Sequence, residues 1–315
     1  MTSARGYGRD AAIEALLRAA QREILAVAVA TCAMDEDAVA IASARLRWAI
    51  DSARPLILAL GTGARRERHA CRLDRIANGA QRWLAAEPPR TLHEIARLVG
   101  RVSARRGRQG WRGPAIVADH AALVDLDLDD LDLIRISLRG ASLTEVTLRR
   151  TGCVAADARS SRWLRCQLED GSLAMAVLAG ARLERCDLSR ASLDGTSWHR
   201  ALLVHCVLRR ASLIDARLDR ADVRDCDLRG ADLSIARSPE VATLAGTRFV
   251  RCDLRDTRWN GRELGGAVFV DCKLFGARGA SALAGVVIER PDLSRLGDGS
   301  QIATQTDVVA GWPPA

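Results

Sequence analysis

From Leu123 onward a large apolar residue returns at every fifth position: Leu123, Leu128, Leu133, Leu138, Leu143 and Leu148, then Trp163 and each fifth residue through Leu233. Two places ahead of most of them stands a small or modest apolar residue, such as Ala141, Cys166, Ala181, Ala191, Ala201 or Ala221, and the other three positions are mostly polar or glycine. A period of five fits neither the 3.6 of a helix nor the 2 of a long strand. It fits a chain that makes a short extended step with two side chains inward, turns a corner, and repeats. If four steps close a square, equivalent residues lie 20 apart, and Cys166, Cys186, Cys206 and Cys226 keep that interval, each with a leucine two places on. They predict one file of thiols inside the square, in a column that Leu126 and Val146 occupy earlier, where cysteine serves as a small hydrophobe.

The beat has three irregularities. Cys153 and Ala158 stand where large residues are due, which predicts a distorted coil in "TGCVAADARSS". After Leu233 the phase slips and resumes at Leu244, Phe249, Leu254, Trp259, Leu264, Phe269 and Leu274. The cysteine column resumes at Cys252 and Cys272, and 252 − 226 = 26, one coil of 20 plus six inserted residues, placed near 235–243 with Pro239 beside the tip. A smaller irregularity falls in "FGARGASALAG", before Ile288 and Leu293 finish the pattern.

Segments such as "ASLDG", "ADVRDCDLRGADLS" and "ASLIDARLDRADV" resemble the A(D/N)Lxx signature of pentapeptide-repeat proteins, over about residues 121–294. The resemblance implies a mainly β fold, a right-handed quadrilateral β-helix. The expected organisation is an α-helical, basic N-terminal domain at 1–115, a β-solenoid at 116–295 with the loop near 235–243, and a short C-terminal helical cap at 296–315. About eight coils at ~4.8 Å each predict a rod of roughly 40 Å. Solenoid ends expose unpaired ladder groups and need caps; a short helix at Thr304–Ala310, with Trp312 behind it, is expected to supply the carboxyl one.

Ahead of the repeats, Ile13, Leu16, Leu17, Ala20, Ile24 and Leu25 share one helical face. A second helix is expected from about Asp37 to Ser52, a break with a strand or buried turn between Pro55 and Gly63, and a third helix over roughly Arg65–Ala86. Thr91 and Glu94 form a capping box for a fourth. Charge is unevenly shared: residues 1–115 hold 20 arginines against 11 acids (+9), and 116–315 hold 27 basic against 28 acidic residues (−1).

The start lacks the layout of a secretory signal, and no apolar run reaches the roughly 20 residues of a membrane span, so a soluble, cytoplasmic chain is expected. Nine cysteines without a C-x-x-C pair read as reduced thiols rather than disulfides or metal ligands. His69, His93, His120, His199 and His205 are dispersed, and a filled square interior leaves no substrate cavity, so neither an enzyme nor a cofactor is expected. Gly61 and Gly63 ahead of Arg65, Arg66 and Arg68 have the elements of an anion-binding helix start. They lack the lysine and Ser/Thr of a P-loop, and a turn before a solvated basic helix is the favoured reading.

Two outward surfaces stand out as interaction candidates. One side projects Ile134, Val154, Met175, Ile214 and Ile235, an apolar stripe met by the helical domain or a partner. Another carries Arg149, Arg150, Arg190, Arg209, Arg210 and Arg229, a basic stripe mixed with acids. The cluster Arg101, Arg105, Arg106, Arg108 and Arg112 has the composition to grip phosphates or acidic protein, with a solvated helix end favoured. The family resemblance implies non-enzymatic proteins whose best-known members look like duplex DNA, bind type II topoisomerases and protect them from poisons. A DNA mimic needs strong negative charge, which Asp125, Asp127, Asp129, Asp130 and Asp132 supply only where the repeats begin. The favoured reading is therefore a scaffold or adaptor that binds another protein. Topoisomerase protection is second, direct nucleic-acid binding through the basic N-terminal part is disfavoured, and a homodimer is allowed.

Overall fold

The computed structural model describes residues 3–32, 36–60, 63–81, 116–236 and 244–311. The fourth helix expected from Thr91, the arginines between 101 and 112, Pro239 and Trp312 lie outside these residues. The chain divides into two compact units: one contains the three N-terminal helices and Ala121–Leu131, the other Pro114–His120 and Asp132–Ala315.

In the first unit, α1 (Ser3–Cys32) buries Ile13, Leu17, Ala20, Ile24 and Ala28 at three- and four-residue intervals. Helix α2 (Glu36–Leu58) does the same with Leu46, Ile50, Ala53 and Ile57, and α3 (Ala64–Gln81) with Leu73, Ile76 and Ala80. The expected break at Pro55 does not occur: α2 runs through it, and the Ala59 amide still bonds the Pro55 carbonyl at 3.0 Å. Proline in a helix interior costs about 3 kcal/mol. Here its ring is on the exposed face one turn before the end, while Ala53 and Ile57 on either side are buried, so packing holds the last turn in place. The unit also takes in β1 (Ala122–Val124).

The second unit is a four-sided β-solenoid. Its first side carries eight three-residue strands: β2 (Ser142–Thr144), β3 (Arg162–Leu164), β4 (Arg182–Glu184), β5 (Leu202–Val204), β6 (Asp222–Arg224), β7 (Arg248–Val250), β8 (Val268–Val270) and β9 (Val287–Glu289). They pair in chain order and in parallel, Leu143 on Trp163 on Leu183 on Leu203. The other three sides repeat the same shift of 20, shown by the parallel bridges Thr147 to Gln167, Gly152 to Ser172 and Asp157 to Val177. Each pentad therefore buries two residues and bends at the next corner. There the chain makes a β-turn, for example Thr151 N–H to Leu148 C=O at 3.3 Å, with Arg150 at φ 54°. A left-handed non-glycine residue costs roughly 1–2 kcal/mol. It persists because its own N–H joins the ladder, as Arg150 does to the Glu169 carbonyl at 3.0 Å.

The coil containing Cys153 and Ala158 is regular rather than distorted. Both side chains are buried, and their amides bond Ser172 and Val177 at 2.7 and 2.8 Å like those of every other coil. The backbone ladder fixes the path whatever the size of the inward side chains.

The insertion is where the sequence puts it. Val223 pairs with Phe249, a shift of 249 − 223 = 26, and the surplus of six falls between Ser234 and Ala245, because Asp215 bonds Ser234 at the regular offset of 234 − 215 = 19 while Arg220 bonds Ala245 at 245 − 220 = 25. Later Phe269 pairs with Ile288, a shift of 288 − 269 = 19, so the smaller irregularity is a deletion of one residue. At the insertion the corner loses its usual turn: the Ala236 amide goes to the Asp215 carboxylate at 2.8 Å instead of to Leu233. Arg262, buried in an inward position that Ala156, Ala176, Thr196 and Ala216 hold in earlier coils, donates to the carbonyls of Leu233 and Ala216. Burial lowers its pKa to about 10, while Asp215 and Asp219 pull the other way.

At the carboxyl end, α4 (Gln305–Gly311) lies on β9 and buries Val308. Thr304 caps it, with Asp307 accepting from the Thr304 amide and hydroxyl at 2.8 and 2.7 Å. The Gln305 carboxamide accepts from the Ile288 amide (3.1 Å) and donates to the Val286 carbonyl (3.2 Å), the two bonds a further strand would make.

Candidate functional site

The inward columns hold packed apolar side chains, and chemistry is confined to the outward rows. Cys166, Cys186, Cys206, Cys226, Cys252 and Cys272 are all buried and none is in a disulfide. Their thiols bond carbonyls, as Cys186 does to Trp163 and Glu184 at 3.5 and 3.4 Å. Hydrogen bonds to neighbouring thiols and burial push Cys186, Cys226 and Cys272 up, and burial together with the Asp132 charge takes Cys153 to about 12. Thiols raised in this way are neutral and pack as small apolar groups.

The five residues of the apolar stripe fall in two adjacent columns. Ile134, Val154 and Ile214 share one with Ala174 and Asp194; Met175 and Ile235 share the other with Gly195 and Asp215. Asp194 interrupts the first and accepts from the Ile214 amide at 3.1 Å. Met175 lies over Gly195, where a β-carbon would come within 2.6 Å of its sulfur. Ile134 and Met175 are exposed, and Val154, Ile214 and Ile235 are half-buried. The surface is a set of small apolar spots.

The expected basic stripe is a charge lattice. Arg190 meets Asp170 at 2.7 Å, Arg149 meets Glu169 at 3.3 Å, and Arg209 and Arg229 share Asp227 at 2.5 and 2.8 Å. Arg190 holds Asp170 below the usual carboxylate range. For Asp227, burial raises the pKa but the bonds from Arg229 and Arg209 outweigh it. A shallow groove of about 550 Å³ runs over this lattice between Glu169, Asp187, Ser189, Arg190 and Arg210.

Two acids of the run where the repeats begin, Asp127 and Asp130, meet cations of α3 within the first unit. Gln21 of α1 donates to Asp127 at 2.8 Å, Arg75 of α3 stands 3.8 Å from Asp127, and Arg72 lies 3.5 Å from Asp130 while bonding the Asp129 carbonyl and Gln21. Arg72 also holds Glu14 at 2.8 Å, and His69 sits 3.2 Å from Glu14 and 3.6 Å from Asp10. Arg65, a member of the anion-binding candidate before α3, is engaged with Asp10 at 2.9 Å, and Gly61 lies outside the described residues.

Sorting by residue type missed the corner between the fourth and first sides. The fourth side is centred on Leu178, Trp198, Leu218 and Leu244. At its turn into the first side the stacked residues read Gly180, Arg200, Arg220 and Gly246. Arg217 flanks them on the fourth side, and Arg162, Arg182 and Arg248 on the first. All six arginines are exposed, and among the described residues none forms an ion pair. The signal was available in the sequence, but only once residues 20 and 26 apart are stacked column by column.

No group of His, Cys, Asp or Glu suited to a metal ion occurs among the described residues, and no described helix is long and apolar enough to cross a membrane. Residues 165–197 and 199–234 match the family model of pentapeptide repeats in eight copies. No curated protein matches the chain. Among solved structures, it is similar to trypsin-treated QnrB1, a plasmid-mediated fluoroquinolone resistance protein, at 22% identity over 56% of this chain and 84% of that one, with a TM-score of 0.37. It is also similar to HetL, a pentapeptide repeat protein involved in heterocyst differentiation regulation from the cyanobacterium Nostoc, at 20% identity over 65% and 98%, with a TM-score of 0.27.

Proposed function

We propose that this chain, whose residues 165–197 and 199–234 are pentapeptide repeats, is a non-enzymatic scaffold that binds another protein through the outer faces of its solenoid. The observation that carries the reading is the separation of roles within each pentad: two positions close the interior, and the other three stand in rows at ladder spacing on a rigid frame. Such rows suit an extended protein contact. The test is site-specific photo-crosslinking in the native host, with the reactive residue placed at Met175, Arg210 or Arg220. A discrete adduct from at least one of these positions is expected. No adduct from any of the three positions would overturn the reading.

Topoisomerase protection is the second function the repeat family brings to mind, and QnrB1 is a fluoroquinolone resistance protein. The charge pattern ranks it lower. A duplex mimic needs unopposed rows of acid, whereas Asp170, Asp225, Asp227 and Asp271 are each matched by arginine, and Asp127 and Asp130 by α3. Rescue of gyrase supercoiling from a fluoroquinolone by the purified protein would reverse this order.

A further inference from the structure

We infer that the corner between the fourth and first sides is a docking ridge for an acidic protein segment, one that carries separate carboxylates among neutral residues. The inference rests on the scaffold reading and names the chemistry of the partner.

The contrast between corners points to it. Where the first side turns into the second, stacked residues of opposite sign pair between coils: Glu145 with Arg165 at 2.8 Å, Asp225 with Arg251 at 2.6 Å, Asp271 with Arg290 at 2.7 Å; Arg185, stacked on Arg165, pairs with Glu184 at 3.4 Å. Where the second side turns into the third, Asp170 pairs with Arg190. The fourth-to-first corner stacks Arg200 directly under Arg220 and flanks them with glycines. Like charges opposite each other in a ladder repel, and among the described residues no carboxylate forms an ion pair with either arginine. The stem of Arg220 lies against Gly246, where a β-carbon would sit 3.4 Å from its Cγ. With Arg162, Arg182, Arg217 and Arg248 the cations span five successive coils, roughly 20 Å at ~4.8 Å per coil. Counting the nearby Glu184, Asp219, Asp222 and Arg224, the net charge is 7 − 3 = +4.

Two features favour protein over nucleic acid. The carboxylates of Asp219 and Asp222 stand within the ridge, Asp222 tied to Arg224, and would oppose a continuous phosphate backbone while leaving room for spaced carboxylates. Half-buried Leu202 and Val204 lie beside the arginines, whereas the nearest aromatic, Trp198, is fully buried and offers no base a stacking face.

The test uses the full chain and measures fluorescence anisotropy with labelled poly-L-glutamate and, separately, a short duplex DNA, across a salt series. The expected result is salt-sensitive binding of poly-L-glutamate that weakens by about tenfold or more in the R200E/R220E double variant. A control with the same charge change at paired positions, R165E/R290E, should stay within about twofold. Matching melting curves show that all variants fold. Failure to bind poly-L-glutamate, equal losses in both double variants, or tighter binding of duplex DNA would each overturn the ridge assignment. A crosslinked partner at Met175 or Arg210 without poly-L-glutamate binding sinks the ridge alone, and poly-L-glutamate binding without any crosslinked partner sinks the scaffold reading alone.

Discussion

Trp163, Trp198 and Trp259 are fully buried, and each has a hydroxyl two places before it: Ser161, Thr196 and Thr257. The indole N–H donates to that oxygen at 2.7, 2.7 and 2.9 Å, and the hydroxyl in turn donates to the carbonyl three residues back, Ala158, Leu193 or Leu254. A position that most often takes alanine or cysteine thus holds Ser or Thr at each of the three tryptophans. Leaving such a donor unsatisfied costs about 1–3 kcal/mol. Thr196→Val is therefore expected to lower unfolding free energy by that amount in urea titrations followed by tryptophan fluorescence, and Thr196→Ser by clearly less. Equal losses would show that the indole does not depend on the hydroxyl. The cysteine file needs no such partner, because a thiol is a weak donor that the inter-coil carbonyls already satisfy. That is why sulfur could be placed from spacing alone.

Elements tolerate interruption here because adjacent coils repair one another. The six-residue insertion removes a corner turn, and Arg262 from the following coil supplies donors to the exposed carbonyls of Leu233 and Ala216. The same stretch gathers Phe249, Phe269 and Trp259, the two phenylalanines stacked at 5.0 Å and the indole edge-on to both at 5.9 and 6.0 Å. Arg262→Leu should cost on the order of 2 kcal/mol, since two buried carbonyls lose donors. Deleting residues 237–242 to restore the beat of 20 should make the two changes non-additive. Additive losses in denaturant titrations would refute a link between the arginine and the insertion. At the other end, Gln305 covers the Ile288 amide and Val286 carbonyl of β9. Gln305→Leu leaves that edge open, and the expected outcome is concentration-dependent self-association in light scattering; a monodisperse variant with unchanged mass would count against the capping role.

For the solenoid as a whole, acid-base ladders tie coil to coil, so stability should depend on pH at the acidic end. Hydrogen bonds from Arg159, then Arg139, lower Asp157 from 3.8 to about 2, and Arg190, Arg251 and Arg290 lower Asp170, Asp225 and Asp271. A carboxylate whose pKa is depressed by folding contributes stability above its unfolded value and loses it as pH falls through the folded one. Thermal midpoints should thus be level above about pH 5 and decline between about pH 4 and pH 2; a flat profile through that window would mean the pairs are too exposed to matter. The period of five, the column of sulfur and the size and place of the insertion were legible in the sequence, because a solenoid repeats one local rule and a broken beat has an arithmetic signature. The helix through Pro55, the regularity of the coil at Cys153, the arginine at 262 and the contrast between paired and unpaired corners were not. Each depends on what the neighbouring coil or helix places opposite a residue, and that is fixed only when positions 20 and 26 apart are brought into contact.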